Sequence, residues 1–501
     1  MSIWLVLIPL ALSAYTHLWN PAGFPNLFYD EGVYMRRAMH VMEGLGPQEA
    51  FYYDHPFFGQ IFLGGILKII GFPQSLNPSA DLHSIESLYQ IPRALMGILA
   101  IVDTFLLYKI SERMYNRNVA LFGSIIFAAM PATWFTRMIL LDSILLPFLL
   151  LSILLAVYTS KSKSGRINRR NNYILIVMSG IFLGLAIFTK IPAFTMIPLL
   201  AFLIYRNNKR SLKALGAWFV PVLLIPLIWP AQSLLAGAFS SWTNDVLWQI
   251  NRDNAGLPWI VFLLAIIDPF IFVVGFAGLA YSFIRRDYLI LLWTLPFIAF
   301  IAAMGYANFF YWIPVLPALC IAAAKLLVDF MQTIKKFSQK VLRVAMLSSI
   351  IIFGVTSTTL LIVTDVTSAQ LESAAYVASY LDGRRDEGNE NPNIIIANPV
   401  YSWILNYVFD NDHVLSDYRD MLYSPIDTAK SSVLLIDDPR FVLDIGNEDS
   451  SLLHELYSNT STIAVFKGKV TNFDLGLYPY TSMIENYEGS EVKVRVNNSN
   501  S

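Results

Sequence analysis

About eleven apolar runs, each near the roughly 20 residues a helix needs to cross a bilayer, constrain what this chain can fold into. They lie near 2–19, 92–110, 118–134, 138–158, 173–189, 191–205, 214–234, 260–283, 289–305, 309–328 and 344–364. Hydrocarbon offers the backbone no hydrogen-bond partner, so each run is read as a helix. Composition agrees: 55% of the residues are hydrophobic and 14% are charged, against about a quarter charged in soluble domains. The predicted fold class is an α-helical polytopic membrane protein, multi-pass in a cell membrane. The first run lacks a basic segment before it and is expected to remain as a span. The single cysteine, Cys320, rules out an intrachain disulfide framework and a cysteine-built metal site. No P-loop, HExxH or dinucleotide fingerprint is present. The net charge of −1 is segregated by loop and identifies no partner, and no nucleic acid is expected.

Basic residues orient the spans. Lys109, Arg113 and Arg117 share one loop, and Lys161, Lys163, Arg166, Arg169 and Arg170 the next long one. Arg206, Lys209, Arg210 and Lys213 follow, then Arg285 with Arg286, then Lys335, Lys336, Lys340 and Arg343. With eleven spans all these clusters fall on one side, which the positive-inside rule makes cytoplasmic. The apolar segment 57–70 is short and carries Gly64-Gly65, and counting it as a span would break this agreement. It and segment 31–43 are predicted as interfacial helices. The first loop (20–91), a loop at about 235–258 and everything after 365 then face outward. Two domains are expected: a membrane module over 1–365 and an extracytoplasmic α/β domain over 366–501. The second should hold a helix from Gln370 to Leu381 and strands at Ile394–Ile396, Val433–Ile436 and Ile463–Phe466. Asn459-Thr460-Ser461 and Asn497-Asn498-Ser499 are glycosylation triplets, a weak signal.

Within the first loop, Tyr29-Asp30-Glu31-Gly32 precedes Tyr53-Asp54-His55-Pro56. Helix initiation alone would explain the adjacent carboxylates, with Asp30 as N-cap and Glu31 in the first turn. Their company argues for more. Arg93 opens the second span, Arg137 precedes the fourth, and Lys190 stands at a hairpin turn, all on the side where few basic residues are expected. Singly, each fits a snorkelling or paired residue. Together they make a cationic cluster opposite two carboxylates, suited to a lipid phosphate. Asp142 is expected to pair with a neighbouring base. Asp103, about 15 Å along the helix from Arg93, is expected to have a structural partner. Asp268 is placed near the outer surface, and the aromatic group from Tyr306 to Trp312 reads as an interfacial belt.

In order along the chain, Asp30-Glu31, Asp54-His55-Pro56-Phe57-Phe58-Gly59, Arg93 and the run Arg137-Met138-Ile139-Leu140-Leu141-Asp142-Ser143 resemble the protein O-mannosyltransferase family. More broadly they resemble the GT-C superfamily, which includes the lipid A aminoarabinose transferases. The likeness covers about the first 200 residues. Gln60 stands where that family carries a lysine, and the tail looks more like the prokaryotic branch. The resemblance implies a GT-C fold and an inverting transfer of a mannose-like hexose from a polyprenyl-phosphate donor. The acceptor would be a protein Ser/Thr hydroxyl or, alternatively, a lipid or cell-surface glycan. By this analogy Asp30 is the general base and Glu31 orients the acceptor or holds a basic partner. Arg93, with Arg137, Lys190 and Arg252, would hold the phosphate as its charge grows. Asp54, His55 and Asp142 would shape the site. This chemistry requires no metal, although the ligand types permit a divalent cation on Asp30, Glu31, Asp54 and His55. The rival class is a secondary transporter with Asp30, Asp103 and Asp268 as ion sites, disfavoured because such sites lie at the midplane between repeats. A non-catalytic assembly subunit is a third reading.

Overall fold

The computed structural model describes residues 3–49, 53–159, 169–252, 256–333, 336–386, 394–415, 432–438, 456–468 and 491–497. Helix α1 (Leu7–Leu18) is followed by two loop helices, α2 (Tyr29–Met42) and α3 (Phe58–Ile69), near the expected 31–43 and 57–70. The 12 residues of α3 span about 18 Å, too little for about 30 Å of hydrocarbon. The 33 residues of α4 (Leu82–Met114) span about 50 Å and outrun it. The first turns of α4, with Tyr89, therefore stand among the loop helices.

The membrane module continues through α5 (Arg117–Ala129), α6 (Leu141–Tyr158), α7 (Arg169–Thr189), α8 (Ile197–Asn207), α9 (Leu212–Leu224), α10 (Ile228–Leu235) and α11 (Phe239–Asn251). It ends with α12 (Leu257–Ile267), α13 (Phe276–Ile284), α14 (Tyr288–Ala303), α15 (Leu316–Gln332) and α16 (Lys336–Ile362). Among the described residues, 5 helices are long and apolar enough to cross a membrane, or up to 7 if each bent pair is one span. Shorter apolar helices accompany them.

Several of the expected unbroken runs are interrupted, two of them at a proline. The run 118–134 bends by 68° between α5 and a 3-10 turn over Pro131–Arg137. The run 260–283 stops at Asp268, before Pro269. Proline lacks the N–H that would continue either helix. Asp268, expected toward the outer surface of the membrane, is fully buried within the protein and caps both restarts. Its carboxylate accepts from the N–H of Ile271 at 2.8 Å and of Ala132 at 3.1 Å. Asp103 is buried, but it departs from expectation in its partner: neither carboxylate oxygen has a hydrogen-bond partner among the described residues.

The tail forms α17 (Ser368–Asp386), β1 (Ile394–Ile396), α18 (Pro399–Tyr407), β2 (Val414–Leu415), β3 (Val433–Asp437), β4 (Thr460–Lys467) and β5 (Glu491–Asn497). The sheet order is β2-β1-β3-β5-β4, parallel across the first three strands and antiparallel across the last two. The three expected strands are present as β1, β3 and β4. One face of the sheet keeps a small core of its own, Ile396, Val433, Leu435 and Leu456; the other is shared. Leu27, Met35, Leu63 and Tyr89 of the first loop and α4 share one apolar cluster with Val400, Trp403, Leu434 and Val494 of the tail. Lys161, Lys163, Arg166, Lys335, Asn498 and Ser499 lie outside the described residues.

Candidate active site

Helix α2 begins at Tyr29, with Phe28 as an extended N-cap (φ −103°, ψ 146°). Glu31 thereby falls at the third helical position, from which a side chain reaches back to the N-cap amide. Its Oε2 accepts from the Phe28 N–H at 3.0 Å. The cap is therefore Glu31 and not Asp30, because the helix starts earlier than expected.

Glu31 is fully buried and carries a second load. Arg93 donates to it twice, Nε to Oε1 at 2.9 Å and Nη2 to Oε2 at 2.6 Å, and the Ile139 N–H adds a bond to Oε1 at 2.9 Å. The other Arg93 donors go to the carbonyls of Pro21, Pro25 and Asn26 at 3.0, 2.7 and 2.9 Å, with Ala22 at 3.4 Å. All five N–H groups of the guanidinium are thus engaged. Arg137, also sealed from solvent, donates to the carbonyls of Thr16 and Asn20, both at 2.9 Å, and of Trp19. It serves carbonyls at the C-terminal end of α1, which have no intrahelical donor. Together the two arginines wrap the 16–26 segment around themselves and set where α2 starts. Arg93, expected at the phosphate, has no donor left for one. Arg137, expected beside it, is turned toward α1.

Adjacent residues on a helix point about 100° apart. Asp30 accordingly leaves the Arg93 nest that holds Glu31. Its carboxylate is partly exposed and has no hydrogen bond or ion pair among the described residues. Burial raises its carboxyl to about 6; Lys190 and Arg252 oppose the shift, while Asp54 and Asp142 add to it. Those four charged groups therefore share one space with Asp30, although they are scattered over some 200 positions of the chain.

Lys190 Nζ lies 2.5 Å from Asp142 Oδ2, over the rings of Phe310 at 4.4 Å and Tyr311 at 5.0 Å. Asp142 sits in the first turn of α6, where the helix dipole favours a carboxylate. Arg252 ends α11, and its guanidinium stands 3.7 Å over Tyr306 and 4.7 Å over Trp248. Among the described residues its one hydrogen bond goes to Gln249 Oε1 at 3.3 Å, and it has no ion pair. Arg252 is thus the basic candidate with donors open to the site.

Asp54 and His55 form the third side. Burial works against the Asp54 charge, but Arg37 and then His55 outweigh it and bring the carboxyl down to about 2. Arg37 Nη2 reaches Asp54 Oδ1 at 2.6 Å. Burial, opposed mainly by Asp54, brings the His55 imidazole down to about 3, so the ring is neutral. It lies against Tyr34, with ring centroids 6.3 Å apart. The Tyr53 N–H donates to Asp245 of α11. Gln60, in place of the resembled family's lysine, donates to the Pro47 carbonyl.

No three His, Cys, Asp or Glu side chains are grouped to hold a metal among the described residues. Glu31 is held by Arg93, and Asp54 by Arg37, so the four residues considered for a cation do not converge on one point. Sequence reasoning passed over Arg37 and Asp245's bond to the turn, and read Tyr306 as a belt residue. The signal for Arg37 was present: Asp30, Tyr34 and Arg37 recur at i, i+4 and i+7, one face of α2.

The comparisons agree with this architecture. The family model for dolichyl-phosphate-mannose-protein mannosyltransferase matches residues 82–233. No curated protein matches the chain in sequence. ArnT from Cupriavidus metallidurans, solved bound to undecaprenyl phosphate, is 13% identical with a TM-score of 0.61, covering 98% of this chain and 97% of that one. The oligosaccharyltransferase AglB from Archaeoglobus fulgidus, solved with an inhibitory peptide and a dolichol-phosphate, is 13% identical with a TM-score of 0.54. That likeness covers 87% of this chain and 69% of AglB. The chain therefore has the fold of the GT-C membrane glycosyltransferases, with a C-terminal sheet-containing domain. In part of its sequence it resembles the dolichyl-phosphate-mannose-protein mannosyltransferases, and in fold it resembles ArnT.

Proposed function

We propose that this protein is an inverting glycosyltransferase that moves a sugar, a mannose-like hexose favoured, from a polyprenyl-phosphate donor to a hydroxyl acceptor. The observation that carries this reading is Asp30: an unpaired carboxylate, raised to about 6, facing Lys190 and Arg252. Such a group is ionised at neutral pH and still basic enough to take the acceptor's proton. The acceptor oxygen attacks the anomeric carbon from the face opposite the phosphate, so the configuration inverts. The C–O bond to the phosphate breaks, and its electron pair leaves with the phosphate. Arg252, steadied by Tyr306, receives that charge, and Lys190 adds to it while paired with Asp142. Glu31, Arg93 and Arg137 hold the helix that presents the base, and Asp54 and His55 close its side.

Both similar structures were solved with a polyprenyl phosphate, which supports the donor class. The clusters of loop lysines and arginines support placing the site and tail outside the cytoplasm, with the donor in the outer leaflet. A protein Ser/Thr acceptor is favoured by the match to protein mannosyltransferases. A lipid or glycan acceptor is the second reading, favoured by the nearly full-length likeness to ArnT.

The test is sugar transfer by purified protein from polyprenyl-phosphate mannose or glucose to a Ser/Thr-rich peptide, or to a lipid extract. Asp30→Asn should lower the rate about 10²–10⁴-fold. The wild-type rate should fall on acidification through about pH 6, as Asp30 takes up its proton. Full activity in chelator supports the metal-free reading; loss that added cation reverses would reinstate a metal. An Asp30→Asn variant as active as wild type would remove Asp30 as the base.

A further inference from the structure

The face of α2 that carries Asp30 also carries Tyr34 and Arg37, one and two turns on. Arg37 is 3% exposed and, among the described residues, makes its one hydrogen bond, at 2.6 Å, to Asp54. Its Nε lies 3.7 Å from Glu49, beyond hydrogen-bond range, and its Nε and Nη1 have no hydrogen-bond partner among the described residues. His55, the next residue of the turn, lies against Tyr34. The residue before Asp54, Tyr53, is tied by its N–H to Asp245 on α11, the helix that ends in Arg252. The turn from Tyr53 to His55 thus bridges the helix of the base and the helix of the phosphate-facing arginine. Arg37 fastens the α2 end of that bridge.

We infer that Arg37 is a positioning residue for the transfer: through Asp54 it straps the Tyr53–His55 turn across the Asp30 face of α2 and offsets the Asp54 charge beside the base. This rests on the reading of Asp30 as the base. The charged groups facing Asp30 are Lys190, Arg252, Asp54 and Asp142, and its own charge is felt by Tyr34, Tyr306 and Tyr311. Arg37 in turn faces Asp54, Glu49 and Tyr34. Losing Arg37 leaves a carboxylate near Asp30 without its counter-charge. Losing Asp54 leaves a cation there instead. The two losses act on the base with opposite sign.

The experiment is the pH–rate profile of transfer for Arg37→Met, Asp54→Asn, the double variant and Arg37→Lys, in full-length protein that elutes as a single species. Arg37→Met should move the acid limb up by about half a pH unit and Asp54→Asn should move it down by a similar amount. The double variant should return the limb toward wild type with a kcat at least 10-fold low and an unchanged KM for donor, because the strap is gone while the phosphate side is intact. Arg37→Lys keeps the charge and should keep the wild-type limb. Limbs that stay at the wild-type pH in both single variants, or move in the same direction, overturn the inference. So does a loss confined to donor KM. If Arg37→Met does not yield folded protein, Asp54→Asn and Arg37→Lys still decide it. Asp30→Asn, run alongside, separates the two levels: a retained rate there defeats the base assignment, whereas its loss with unmoved limbs elsewhere defeats only the role of Arg37.

Discussion

Two arginines that look alike in the sequence do different work. Arg93 is sealed, and every donor is matched by Glu31 or a loop carbonyl, whereas Arg252 is partly exposed, stacked on Tyr306 and unpaired by any carboxylate among the described residues. Removing one partner of a buried ion pair leaves an uncompensated charge and costs about 3–5 kcal/mol. Arg93→Ala should therefore lower the melting temperature in detergent sharply and reduce the yield of folded protein. Arg252→Ala should leave the melting temperature within a few degrees while donor binding and transfer fall at least tenfold. Equal thermal losses in both variants would put Arg252 in the scaffold with Arg93. The Asp30-Glu31 pair splits in the same way. One residue's step of about 100° around the helix sends Glu31 into the scaffold and Asp30 toward the candidate site.

At the scale of elements, α2 is held from both sides. The 16–26 segment sets its start, and α18 lies on its back at Gly32. A Cβ at Gly32 would come 2.2 Å from the Pro399 carbonyl carbon and 2.3 Å from the Val400 nitrogen, so only glycine permits this approach. From α4, Tyr89 donates to the Val400 carbonyl at 2.7 Å and accepts from Trp403 Nε1 at 2.9 Å. Tyr89→Phe removes the first bond and strands the buried indole N–H, a cost of about 1–3 kcal/mol. Hydrogen exchange should then quicken in α18 and the start of α2 while the helices of the membrane module keep their protection. Unchanged exchange in α2 would show that α18 does not secure it. The loop helices α2 and α3 were readable because each is a short helix-length segment with a glycine just beyond it, Gly44 and Gly71. Helix α18 was not, since nine residues between short strands leave too little pattern to read.

For the molecule as a whole, the tail and the first loop are one packing unit. Leu27, Met35, Leu63 and Tyr89 meet Val400, Trp403, Leu434 and Val494 in a common core. Gln370 bonds both the Leu27 backbone and Asp438, which also accepts from Tyr401 at 2.7 Å. A chain ended after residue 365 would bare the loop side of that core. Burial stabilises by roughly 25 cal/mol per Å² of apolar surface, so this loss should leave α2 unsupported. The shortened protein should insert in membranes yet lack transfer and be cleaved by protease in the first loop. Wild-type transfer by the shortened chain would show that the tail is a separable module.

What the sequence determined by itself is what depends on local composition and order. Apolar run length marked a helical membrane protein, the family resemblance carried by Asp30-Glu31 and the Arg137-to-Ser143 run implied the GT-C fold, and β-rich runs marked the tail's strands. Tertiary structure decided which charges pair. Whether an arginine is free or filled depends on which carbonyls and carboxylates surround it, and those come from residues tens to hundreds of positions away. Arg93 was filled by the 21–26 loop and Glu31, Arg137 by the end of α1, and Lys190 by Asp142. Pro131 and Pro269 broke two runs locally, whereas long-range packing left Asp30 unpaired among the described residues and set Arg37 beneath the Asp54-His55 turn. Local pattern specifies an element because its cause is the backbone period. A site is specified by the neighbours that three-dimensional packing supplies.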